Sequence, residues 1–280
     1  MRRAPACRSI TNFPQGWPKL AQSAILSQPT ASPPAIIVAS LLPLRATLPH
    51  ASLTVNSSYP FGDTASISVA AANRTTLKIR IPGWAFGATV NGRQVANGTL
   101  AEVLCPPGTT AVVVDLRPTI RFERGWGDVL STPRTDAVAV VRGPLVFALH
   151  PSELKTVVRS YNTTPATAGE HAPDYLIRTD DPWNFAIDLD KGASFDPSPS
   201  RGWSLDFPFD DSGTYPFSVR VTGRQVSSWG YWRGSNITNP PPVSPVDPSK
   251  CGAPTPLTLV PFGSTNIRIS VFPHVASVTV

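Results

Sequence analysis

The chain has 280 residues, enough for one large or two ordinary domains, and 41% of them are hydrophobic, so it can build real cores. Its net charge is +6, but the basic residues are scattered singly, without the basic block or aromatic-interleaved stripe of a nucleic-acid footprint. The 32 prolines leave few gaps long enough for a helix, which excludes a helical bundle and points to short strands joined by turns.

Near the start, Pro18 suits the first turn of a helix, and Trp17, Leu20, Ala21, Ala24 and Ile25 recur at helical spacing. The pattern predicts one helix near Lys19–Ser27. With no second helix to receive its apolar face, that face is expected to lie exposed and to offer a surface for self-association. The run Ala35 to Leu42 is bounded by prolines and too short to span a bilayer, so it reads as a buried strand and no membrane partner is expected.

From there the chain reads as strands. Ser52–Asn56 and Ala65–Val69 alternate apolar and polar residues. In LKIRIPGW, Leu77, Ile79 and Ile81 share one face, while Lys78 and Arg80 share the other. Asn91-Gly92 is a hairpin signal, because a type I′ turn needs positive φ at both central residues. TAVVVDL, DAVAVVRG and PLVFAL continue the series to Leu149, and Val112, Val114, Val138, Val140, Val146 and Phe147 join the expected first core. Residues 150 to 175 are polar and turn-rich and read as a linker or long loop. Strands resume at Leu176–Arg178, Asn184–Leu189, Phe217–Thr222, Leu257–Val260 and Ile267–Val271. Between them, residues 238 to 256 form a proline-rich insertion expected to be irregular or polyproline-like and mobile. The fold class is therefore all-β: two tandem antiparallel, jelly-roll-like β-sandwiches with a short N-terminal helical piece. The expected divisions are 1–30, 31–150 and 151–280.

Residues able to do chemistry are sparse. Cys7, Cys105 and Cys251 have no metal-ligand spacing, and Cys105 and Cys251 either pair or remain free buried thiols. Glu123 and Asp128 flank Trp126 as a carboxylate pair, which reads as a polar turn unless a cleft joins them. Asp188 and Asp190 would share a strand face, and Asp210-Asp211 is a loop pair, but no calcium-loop spacing surrounds either. His50, His150, His171 and His274 stand apart from one another, without triad spacing. The expected catalytic, metal and cofactor sets are therefore empty. Trp84 and Trp183 read as core anchors. The glycine-rich SSWGYWRG presents Trp229, Tyr231 and Trp232 as candidates for stacking on sugar rings, against the plainer reading that they pack on the proline-rich insertion. Five Asn-x-Ser/Thr sequons, at Asn56, Asn73, Asn97, Asn162 and Asn236, favour a secretory history, but no apolar signal segment follows Met1-Arg2-Arg3, so localisation stays open.

Four motifs carry a resemblance: LKIRIPGWAFGATVNGRQV, VAVVRGPLVFAL, APDYLIRTDDPWNFAI and LTLVPFGSTNIRISVFP. In this order they resemble glycoside hydrolase family 127, the β-L-arabinofuranosidase-like proteins. The resemblance implies the β-sandwich half of that family, which follows an (α/α)6 catalytic barrel. TNFPQGWPKL, from Thr11 to Leu20, is similar to the tail of the barrel, so residues 1–30 are expected to be its remnant. The family's chemistry, as the resemblance implies it, uses a zinc-held cysteine nucleophile and a glutamate acid/base, so zinc is expected only in full-length members. Arg8 and Ser9 occupy the positions of the cysteine pair, and Cys7 stands one residue further out without metal partners. The implied function is an accessory, carbohydrate-related portion that is inactive alone, with plant or cell-wall carbohydrate as its partner. An independent carbohydrate-binding or surface-adhesion module and a truncated product without function remain alternatives.

Overall fold

The computed structural model describes residues 15–125, 135–160, 173–209, 213–232 and 238–276. They form an all-β chain with one short helix, and the chain divides into two units, Met1–Thr119 and Ile120–Val280.

In the first unit the helix is α1 (Gly16–Ser23), earlier than expected, with Pro18 in its first turn as predicted. Ile25 and Ser27 do not continue it. They belong to strand β1 (Ile25–Gln28), which pairs with β2 (Ala35–Val38), so the last part of the expected barrel remnant is sheet. Here cross-strand pairing overrides the helical spacing of Ala24 and Ile25. The other strands are β3 (Leu44–Leu48), β4 (Ala51–Ser57), β5 (Thr64–Ala71), β6 (Thr75–Arg80), β7 (Thr89–Val90), β8 (Arg93–Gln94), β9 (Leu100–Cys105) and β10 (Gly108–Asp115). They make a four-stranded sheet, β1-β2-β6-β9, and a six-stranded sheet, β3-β4-β5-β10-β7-β8. The expectation of wholly antiparallel sheets fails at one place, because β2 and β6 run parallel.

One aliphatic cluster fills this sandwich. Ile36, Val38, Leu77 and Ile79 come from the smaller sheet, and Leu53, Ile67, Val69, Val112 and Val114 from the larger. β5 alternates exposed and buried residues along its whole length, the period-two signature of a strand with one wet face. On the wet face of β6, Lys78 pairs with its register partner Glu102 at 3.0 Å. At the β7–β8 turn, Asn91 and Gly92 take φ of 48° and 76°, the type I′ pattern read from the sequence.

The second unit begins at Ile120, where residue 151 was expected. β11 (Ile120–Arg124), β12 (Val138–Arg142) and β13 (Leu145–Leu149) pair in sequence, and β13 pairs with β19 (Pro254–Pro261). Val138, Val140 and Phe147 are fully buried, but in this unit, and Val146 is only half-buried. Alternation identifies a strand and cannot say which sheet receives it. With β16 (Phe185–Ile187), β17 (Ala193–Asp196) and β18 (Ser218–Gln225), these strands make one seven-stranded sheet, where a second sandwich of paired sheets was expected. β12 is buried along its whole length, so both faces of the sheet are covered there. On it the Arg142 guanidinium lies 3.9 Å over the Phe195 ring and 5.9 Å from Phe217.

The expected linker contributes strand β14 (Leu154–Arg159), which pairs with β15 (Asp174–Arg178) as a separate two-stranded ribbon. The stretch Ile267–Val271 is not a strand, although Leu149 N–H donates to Ile269 O at 2.8 Å. The proline-rich insertion is pinned, not loose. Tyr231 bridges Thr238, Val246 bridges Val275, and the Asp247 carboxylate accepts from Ser249 N–H at 2.9 Å to cap a short 3-10 turn. Its last residues, from Pro254, already belong to β19.

Candidate sugar-binding groove

The groove lies within the second unit, and two half-buried amides hold the chain beside it. Asn184, just before β16, donates from Nδ2 to Val226 O at 3.0 Å and to Trp229 O at 2.9 Å. Gln225 Nε2 donates to Asn184 Oδ1 at 3.1 Å. This clamp fixes the turn after β18 against the chain that leaves β15, and so fixes Trp183 against Trp229. Their ring centroids are 5.1 Å apart with planes at 73°, an edge-to-face contact. Trp183 also meets Tyr231, at 5.2 Å and 47°.

The three stacking candidates separate. Trp229 is 3% exposed, and its indole N–H donates to Asn239 O at 2.9 Å, inside the proline-rich insertion. It therefore packs on the insertion and has no open face for a ligand. Tyr231 and Trp232 are about half exposed, at 50% and 49%. Tyr231 and Trp183 line a cavity of about 610 Å3 together with Leu176, Ile177, Arg178, Thr179, Thr238, Ile267 and Ile269. Trp183, read from the sequence as a core anchor, is both that and part of the groove wall. Arg178 and Thr238 were not singled out. Their only signal in sequence was proximity to motifs that the fold brings together.

This lining suits a sugar. Aromatic and aliphatic side chains meet the apolar faces of a ring, and hydroxyl and guanidinium groups meet its oxygens. Tyr231 stays in place through the Thr238 bridge and through Asn239, whose Nδ2 donates to Tyr231 O at 3.3 Å.

Other polar clusters resemble catalytic sites but lack their geometry. Asp136, His274 and Ser244 come together, although sequence spacing kept the histidine apart. Ser244 Oγ accepts from the His274 backbone N–H at 3.1 Å and does not meet the ring. Asp136 Oδ2 and Arg124 Nη1 both approach Nε2, at 3.4 and 3.1 Å. An acyl-transfer triad needs the hydroxyl and the carboxylate on opposite ring nitrogens. Here Arg124 and Asp136 also pair at 2.6 Å, and the group locks strand β11 to the chain end. Burial alone would raise the Asp136 carboxyl, but hydrogen bonds from His274 and Arg124 outweigh it and hold the group below its ordinary range.

Glu153 is a second anchor. It accepts from Thr265 Oγ1 at 2.8 Å, Asn266 N–H at 2.6 Å, Asn266 Nδ2 at 2.7 Å and Ile267 N–H at 2.9 Å. Burial pushes its carboxyl up, and these four bonds more than reverse that. They tie β14 to residues 265–267, next to Ile267 in the groove wall.

Glu123 pairs with Arg121 at 2.8 Å, and its expected partner Asp128 lies outside the described residues. Asp188 immediately precedes a 3-10 turn that contains Asp190, without a side-chain cap bond, instead of sharing a strand face with it. Both line a cavity of about 240 Å3 that also holds Lys191 and Arg224. Cys7, Arg8, Ser9, His171, Asp210 and Asp211 also lie outside the described residues. Cys105 and Cys251 are both free, so the expected alternative of a bridge between them is not realised. Burial pushes both thiols up, away from the thiolate that a nucleophile or zinc ligand needs. Among the described residues no three His, Cys, Asp or Glu side chains converge as a metal site, so they do not fit zinc. No helix of the described residues is long and apolar enough to cross a membrane.

No family model matches the sequence, and no curated protein matches it. Solved structures do match. A structure described as a glycoside hydrolase superposes on 99% of this chain with a TM-score of 0.56 and 18% identity, using 42% of its own length. A family 127 β-L-arabinofuranosidase from Geobacillus stearothermophilus T6 superposes on 94% of the chain with a TM-score of 0.54 and 16% identity, using 36% of its length. The chain thus spans about two-fifths of the length of the enzymes it matches, and the likeness, at these identities, is one of fold alone: these residues share the fold of that portion of those enzymes.

Proposed function

We propose that these residues are the accessory β portion of a family-127-like glycoside hydrolase, and that they bind carbohydrate without cleaving it. The observation that carries this reading is the match in fold over nearly the whole chain to two-fifths of such enzymes. The groove at Trp183 and Tyr231 gives the accessory portion something to do, and it equally favours a module that binds sugar on its own account. Cleavage would need a nucleophile and an acid/base held together around a bond, and loss of one such group costs orders of magnitude in rate.

Two measurements test the reading. The purified chain, given zinc and a thiol reductant, should release no p-nitrophenol from p-nitrophenyl β-L-arabinofuranoside above the buffer rate. Turnover that vanishes in Cys7→Ala would overturn this half. The chain should also bind short neutral oligosaccharides, and Tyr231→Ala should abolish that binding. Undiminished binding by Tyr231→Ala would remove the groove from the account.

A further inference from the structure

We infer that the groove selects acidic sugars, with Arg178 receiving the carboxylate of a uronic acid whose ring lies on the Trp183–Tyr231 wall. The inference rests on the sugar-binding reading above and deepens it. Arg178 is the last residue of β15 and is exposed, and it lines the same cavity as the two aromatic rings. Among the described residues it makes no ion pair, whereas Arg121, Arg124 and Arg220 each hold a carboxylate within 3.1 Å. Its neighbours along the groove are apolar or hydroxylic, namely Leu176, Ile177, Thr179 and Thr238.

A guanidinium in such a wall cannot lose its charge and offers a planar fork of donors that fits a carboxylate in a bidentate way. A neutral sugar would use one or two of those donors on hydroxyls. A uronate fills the fork and keeps its ring free to stack. The net charge of +6 adds a field of the same sense, which favours the approach of polyanionic chains.

The probes are α-1,4-linked trigalacturonate and its fully methyl-esterified form, which has the same rings without the charge. In calorimetric titrations at low salt the full chain should bind the acid about tenfold or more tightly than the ester, the scale of one good charge-assisted contact. In Arg178→Gln, an exposed change in side chain only, the acid should fall to about the affinity of the ester, while the ester, which uses at most one or two of those donors, should lose far less than the acid does. Tyr231→Ala should abolish the binding of both. Added salt should narrow the gap between acid and ester in the parent chain but not in Arg178→Gln. Equal affinity for acid and ester in the parent chain, with both lost in Tyr231→Ala, would overturn the acidic preference and leave sugar binding standing. Failure of both probes, and of neutral oligosaccharides, would overturn sugar binding and this inference with it.

Discussion

The two units solve the same problem, a chain rich in short strands, in different ways. The first closes two sheets over one aliphatic cluster, and nearly every large side chain in it is Ile, Leu or Val. The second has one large sheet and covers it with aromatic rings, the Arg142 guanidinium, and loops held by carboxylates. An aliphatic sandwich is held by burial, which has no direction and little dependence on pH. Loops pinned by hydrogen-bonded carboxylates have direction, which lets them hold a groove open, and they depend on protonation. Scaffold and site are in that sense divided between the units, and the difference can be tested on each by itself.

The largest effect should come from emptying the first core. Ile79 is fully buried within the cluster, so Ile79→Ala should cost about 2–5 kcal/mol. Hydrogen exchange reads each unit separately: amides of β5, β6 and β10 should lose protection, while those of β18 and β19 keep theirs. Equal loss in both units would show that they unfold as one, and the comparison would break.

The matching change in the second unit is overpacking. Gly223 sits in β18 with Leu257 Cδ1 only 2.3 Å from where a Cβ would be, and Ala186 O at 3.4 Å. Gly223→Ala forces the Leu257 side chain to move and should cost about 1–3 kcal/mol. The loss of protection should now fall on β18 and β19. An unchanged stability would mean that the sheet yields there and is not packed as tightly as it looks.

Acid should separate the units next. Asp136, Glu153, Asp181, Asp196 and Asp247, all in the second unit, are held below their ordinary values of 3.8 for Asp and 4.5 for Glu. The folded state holds these protons less tightly than the unfolded chain, so the stabilisation is complete above the ordinary values. It is lost as pH falls from about 4.5 through the depressed values. In the first unit the resolved shifts have the opposite sign: burial raises Tyr59 and Cys105, whose contribution is lost only as pH rises beyond their ordinary 10.0 and 9.0. Between pH 5 and 3 the second unit should therefore lose exchange protection before the first. Glu153→Gln, which keeps one acceptor oxygen of two for four donors, should remove part of that acid sensitivity. If the first unit opens earlier, carboxylate anchoring is not what distinguishes them.

The strands of the first unit were largely legible in the sequence because its longer strands have one wet face. Thr64 to Ala71 and Leu77 to Ile81 alternate, and Asn91-Gly92 announces its turn. The second unit was less legible for the same reason inverted. Val138 to Arg142 is buried on both faces, so its pattern carries no direction, and the next strand, β13, finds its outer partner β19 more than a hundred residues away. The unit boundary was missed because the polar stretch after Leu149, which looked like a linker, contains a strand of the ribbon. The groove was half visible. SSWGYWRG named its aromatics, but which ring faces in and which packs on Asn239 depends on the Asn184 clamp, a set of long-range hydrogen bonds that leaves no periodic trace.

The smallest effect on stability should come from α1, and there the absence of effect is informative. None of its residues is buried, and Trp17 and Leu20 are 67% and 43% exposed. A side chain that buries nothing in the folded chain contributes little to it, so Trp17→Ser should shift the stability of the first unit by about 0.5 kcal/mol or less. The same two side chains form an apolar patch on a helix without a packing partner among the described residues, and such a patch favours association. The parent chain should therefore bind a hydrophobic dye and grow in apparent mass with concentration in sedimentation, and a Trp17→Ser, Leu20→Ser double variant should do both less. That outcome would place the helix outside the first unit energetically, as an attachment surface carried by a sandwich that does not need it. A double variant that loses several kcal/mol would instead show that α1 is part of the first core, and a parent chain that stays monomeric and dark to the dye would show that the patch attracts nothing.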